Sequence, residues 1–91
     1  MNLTRRQIRV LATHFTPHER NELIRSLNAC AIIRRTWNTV TPTCDRVINT
    51  YVRNRKMRFL DACAFRDMCR DYIINQGRMN TFRNNIRHIT P

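Results

Sequence analysis

The sequence predicts an all-α protein, a small bundle of four to five helices forming one domain over residues 1–91, with one long central helix at about 17–40. Three observations carry that expectation. Apolar residues recur at steps of three and four along most of the chain, which lays them on single helical faces. One glycine and three prolines leave little material for tight β-turns. Hydrophobic residues make up 42% of the chain, too many for a disordered tail. At 91 residues, burial only narrowly exceeds the loss of chain entropy, so a homodimer is the expected source of further buried area.

The elements follow in order. Thr4-Arg5-Arg6-Gln7 has the form of a capping box, and Ile8, Leu11 and Phe15 follow at helical spacing, so a first helix runs from about Arg5 to His14. Thr16-Pro17-His18-Glu19 repeats the signal with proline at the first helical position. It opens the long helix, whose inner face reads Leu23, Leu27, Cys30, Ile33, Trp37 and Val40, with Arg25 and Arg35 opposite. Thr39-Val40-Thr41-Pro42 ends it, because the residue before a proline is pushed out of the helical region. A third helix starts at Thr41 or Thr43 and presents Cys44, Val47, Ile48, Tyr51 and Val52 inward, with Arg46 and Arg53 pointing elsewhere. The basic run from Arg53 to Arg58 breaks the apolar stripe and is read as a corner. A fourth helix, Phe59 to Asn75, carries Phe65, Met68, Cys69, Tyr72 and Ile73, with Gly77 suited to a left-handed stop. Asn80 caps a short last helix bearing Phe82, Ile86 and Ile89.

Charge is the strongest functional signal. Seventeen basic residues, all but one of them arginine, stand against 6 acidic ones, for a net charge of +11. A compact fold so far from neutrality calls for a polyanionic partner. Arginine, whose planar fork grips phosphate oxygens bidentately, suits nucleic acid better than lysine does. Arg25, Arg34, Arg35, Arg46, Arg53, Arg55, Lys56 and Arg58 are the candidate contacts. Trp37 and Tyr51 lie on apolar stripes, which assigns them to burial rather than to stacking on bases.

Other chemistries find no support. Cys30, Cys44, Cys63 and Cys69 contain no closely spaced pair, and His14, His18 and His88 do not cluster with them, so neither a metal site nor a cofactor is expected. The thiols are expected to be reduced and structural. Asp61, Asp67 and Asp71 have Arg66 and Arg70 as ready neighbours on the same helix, and no catalytic constellation is visible, so an enzyme is not expected. No apolar run is long enough to span a bilayer and no signal-peptide pattern follows the N-terminus. The expected setting is intracellular and cytoplasmic, the host cytoplasm if the arginine bias reflects a viral origin.

Phosphate neutralisation along helices suits double-stranded RNA, whose narrow major groove excludes side-chain readout. Arg20-Asn21-Glu22-Leu23 followed by Ser26-Leu27-Asn28-Ala29-Cys30 resembles a helical segment of the nodavirus RNA-silencing suppressors. The resemblance implies a small, basic, all-α dimer that sequesters double-stranded RNA. Two alternatives stand beside it. Leu3 to Leu11 with Thr16-Pro17-His18-Glu19 resembles the start of the DNA-binding domain of quorum-sensing-type bacterial regulators, which implies a helix-turn-helix with its turn at Asn28 and Arg34 and Arg35 facing a major groove. The third reading is a basic interaction module that docks an acidic protein.

Overall fold

The computed structural model describes residues 3–37 and 42–75, with the backbone alone for 33–37. Among these residues the chain forms four helices and no strand: α1 (Arg5–His14), α2 (Pro17–Trp37), α3 (Pro42–Asn54) and α4 (Phe59–Ile74). Gly77 and the expected fifth helix lie outside the described residues, as does the expected end of α2 at Val40.

Both capping boxes form. The Gln7 amide donates to Thr4 Oγ1 at 3.1 Å and the Thr4 amide donates back to Gln7 Oε1 at 2.9 Å. The Glu19 amide donates to Thr16 Oγ1 at 3.2 Å and the Thr16 amide to Glu19 Oε1 at 2.9 Å. Each box satisfies donors that the first helical turn leaves without partners. In α1 the glutamine of the box also faces the core. Gln7 sends Nε2 to the Ala64 carbonyl at 3.2 Å, so glutamine turns inward with Val10 and Leu11. Ile8, expected on the inner stripe, is instead 41% exposed.

α2 runs unbroken through Asn28 and buries Arg20, Leu23, Ile24, Leu27, Cys30 and Ala31. Asn28 supplies a partner for a core hydroxyl, as Tyr72 Oη donates to Asn28 Oδ1 at 2.6 Å. The continuous helix removes the turn that the helix-turn-helix reading requires there. On α3, Cys44, Ile48 and Val52 are buried at steps of four, while Val47 and Tyr51, also expected inside, are half-buried on the flank.

α4 is the helix on which the other three pack. This corrects the expectation of a central α2, which is the longest helix at 21 residues but packs chiefly on α4. The reason lies in the width of the apolar surface. Ala62, Phe65, Met68, Cys69, Tyr72 and Ile73 are all buried, and they cover more of the helix circumference than one partner can occupy. The arginines of α4 also differ from expectation. Arg66 Nε donates to Asn49 Oδ1 at 2.8 Å and Arg70 Nη2 to Asp45 Oδ1 at 3.4 Å, so both reach across to α3. One turn forward on α4 matches one turn back on α3, which fixes the two helices antiparallel.

Three thiols from three helices, Cys30, Cys44 and Cys69, are buried and unbridged, while Cys63 is half-buried. Burial, reinforced by the neighbouring Cys44, pushes the Cys30 thiol up to about 12, and burial holds Cys69 well above its ordinary value. They behave as small hydrophobes.

The corner after α3 closes with Lys56 in the left-handed region at φ 51. Its amide donates to the Arg53 carbonyl at 3.1 Å, and the Met57 amide donates to the Val52 carbonyl at 3.2 Å. This pair of bonds is the usual glycine-led helix stop, carried here by a residue with a Cβ. Lys56→Gly is expected to stabilise the fold by about 1 kcal/mol, because the left-handed conformation costs a Cβ-bearing residue roughly that much. Urea denaturation of the two proteins measures the difference.

Candidate nucleic-acid interface

The elbow between α1 and α2 shows how the structure sorts its arginines. A helix end leaves its last carbonyls without partners, and at the end of α1 two guanidinium groups meet them. Arg20, only 2% exposed, donates Nη1 to the carbonyls of Leu11 and Phe15 at 3.4 and 3.3 Å. Arg55 arrives from the α3–α4 corner. Its Nε donates to the His14 carbonyl at 3.1 Å and its Nη2 to Glu19 Oε2 at 2.6 Å. The guanidinium lies 4.1 Å from the centroid of the Phe15 ring and 5.0 Å from that of Tyr51. Those rings pack in turn with Phe65. Both arginines are also favoured by the negative end of the α1 dipole.

Arg55 was one of the expected contacts, and the geometry corrects that assignment. Its side chain is 15% exposed, and its Nε and Nη2 already donate to His14 and Glu19. Arg46 and Arg53, by contrast, stand exposed on the outer face of α3 seven residues apart, about 10 Å along the axis at the helical rise. Lys56 and Arg58 are exposed at the corner that follows, and Arg25 is exposed on the outer face of α2. The side chains of Arg34 and Arg35 lie outside the described residues, as does that of Trp37.

Most of the acidic residues already have a side-chain partner. Asp61 is 3.0 Å from Arg6 and 3.9 Å from Arg9, Asp45 holds Arg70, Glu19 holds Arg55, and Glu22 is 3.0 Å from His18 Nε2. Arg25, Arg46, Arg53, Lys56 and Arg58 have no side-chain partner among the described residues, and neither does the exposed Arg5.

The structure sets Arg6 and Arg9, which the sequence left unassigned, beside the expected Arg58. Arg6, Arg9 and Arg58 line a groove of about 630 Å³ between α1 and the start of α4, together with Phe59, Leu60 and Asp61. Arg58 thus belongs both to the corner and to the groove. Arg6 and Arg9 were hidden within a segment whose evident meaning was a helix cap. Leu60 carried a readable signal, since it lies about 140° around the helix from Phe65 at 3.6 residues per turn and so falls off the buried stripe.

Among the described residues no group of three histidine, cysteine or acidic side chains could hold a metal ion, and no helix is long and apolar enough to cross a membrane. The chain matches no protein-family model, no curated protein and no solved structure. Within the segment that resembles the nodavirus suppressors, Arg20, Leu23, Leu27 and Cys30 are buried. Ser26 is 3.3 Å from the Tyr51 hydroxyl and Asn28 meets Tyr72, so most of that segment serves the fold.

Two expectations follow. Arg55→Lys keeps the charge but loses the planar fork and the ring stack, and is expected to cost about 1–2 kcal/mol of stability; chemical denaturation reads the loss. For pH, the Thr16 amide and hydroxyl, followed by Arg55, hold the Glu19 carboxyl below its ordinary 4.5. A depressed carboxyl contributes stability that is complete above its unfolded value and is lost as pH falls through the folded one. Stability should therefore fall below about pH 4.5, and Glu19→Gln should flatten that acid limb in denaturation curves recorded across it.

Proposed function

We propose that the chain binds double-stranded RNA without regard to sequence, through Arg25, Arg46, Arg53, Lys56 and Arg58, with Arg34 and Arg35 joining them, as a homodimer. The observation that supports this reading is the division of the cations. Arg20 and Arg55 are consumed by the fold and Arg6 and Arg70 by carboxylates, yet five expected contacts stand exposed with no side-chain partner among the described residues. Their fields add on a chain of net charge +11, and a phosphate backbone supplies the counter-charge. Arg46 and Arg53 ride on a regular helix, and Lys56 and Arg58 on a corner pinned by two backbone hydrogen bonds. A rigid row of that kind suits a duplex of fixed shape. In a cell such a protein would act as a suppressor of RNA silencing in the cytoplasm of a virus-infected host, by withholding duplexes from the enzymes that process them. Ile32 and Ile74, both exposed, are apolar side chains available to a dimer contact.

The test is a binding titration with RNA duplexes of unrelated sequence, duplex DNA and single strands at two salt concentrations. Similar affinity for the RNA duplexes and a steep loss with salt are expected. The double variant R46A/R53A should bind all duplexes more weakly and reduce the logarithmic salt slope by about two, one for each phosphate contact removed. Preference for a single DNA sequence, or absence of binding at low salt, rejects the proposal. A variant that binds as the parent does removes α3 from the interface.

A further inference from the structure

The groove between α1 and the start of α4 has a composition that phosphate contact alone does not explain. Phe59 is 76% exposed and Leu60 58% exposed, although the chain has buried nearly every other large apolar side chain of α4. Around them stand Arg6, Arg9 and Arg58, offset by the single carboxylate of Asp61. The groove therefore carries a net positive charge beside an uncovered aromatic ring. A flat hydrophobic surface next to guanidinium groups is the combination that holds unpaired nucleotides, since every base has a face to stack and every link a phosphate to neutralise.

We propose that this groove takes an unpaired nucleotide, with the base on Phe59 and the phosphate on Arg9 and Arg58. The assignment deepens the nucleic-acid reading above, on which it rests, by naming the part of the RNA that this end of the bundle accepts. The volume, about 630 Å³, is within the range of small-ligand sites and suits one nucleotide. An amphipathic partner helix would need an apolar strip that matches anchors one and two turns apart. Phe59 and Leu60 are consecutive on α4 and point about 100° apart, so they form no such strip. Arg6 stays against Asp61 at 3.0 Å, whereas Arg9, at 3.9 Å and with its side chain 64% exposed, keeps donors for a phosphate.

The experiment compares a blunt RNA duplex with the same duplex carrying one unpaired terminal fluorescent purine, titrated with the whole chain. The unpaired nucleotide should tighten binding by about tenfold, the size of one stacking contact, and its fluorescence should be quenched. Phe59→Ala should abolish both effects and leave the blunt duplex bound as before. Phe59→Trp should retain them, and circular dichroism should show both variants folded. Equal affinity for the two duplexes overturns the inference while the duplex reading stands. No binding to either RNA defeats both. A parent dimer that Phe59→Ala splits in sedimentation assigns the groove to a second copy of the chain and also overturns it.

Discussion

When α1 ends at His14, its last carbonyl groups have no partner within the helix. The chain answers with two cations. Arg20 reaches back from α2 and Arg55 comes in from the far corner, and between them they meet the carbonyls of Leu11, His14 and Phe15. An unmet buried carbonyl costs on the order of 1–3 kcal/mol, a large share of what a domain of this size has to spare. The elbow therefore bonds the end of α1 to the first turn of α2. It ties the α3–α4 corner to both helices and holds Phe15 against Tyr51 and Phe65.

This use of arginine changes the meaning of the net charge. A count of +11 treats each guanidinium alike, whereas the fold divides them by partner. Carbonyl oxygens and rings take two, carboxylates draw in others, and the remainder project from α2, α3 and the corner with unspent donors. The same chemical property, a planar group with several N–H donors, serves both ends. At the elbow it replaces water. On the outer face of α3 it stays solvated.

Much of the fold was legible because it is written in local patterns. The bounds of α1, the two capping boxes, the corner at Arg53 to Arg58 and the inner residues of α4 all depend on neighbours within one or two turns. What could not be read depends on distant partners. Gln7 is buried because of Ala64, Arg20 because of Leu11 and Phe15, and Arg55 because of His14 and Glu19. Nothing in the residues flanking Arg55 separates it from Arg53 or Arg58. The role of α4 was hidden for a similar reason, since a stripe shows that a face is covered but not how many helices cover it. The exposure of Arg46 and Arg53 followed from the stripe of α3, and that of Lys56 and Arg58 from the basic run, whereas the groove needed α1 and α4 to be set side by side.

That α4 serves as the common support has a consequence for how the protein is made. A ribosome delivers the chain from its N-terminus, and domains close as their parts emerge. Here α1, α2 and α3 come first, yet the helix that covers their apolar faces is the last of the four described. Leu11, Leu23, Leu27 and Ile48 share one buried cluster with Phe65 and Tyr72, which emerge after them. Truncation within α4 would therefore take away the apolar surface on which the other three described helices pack.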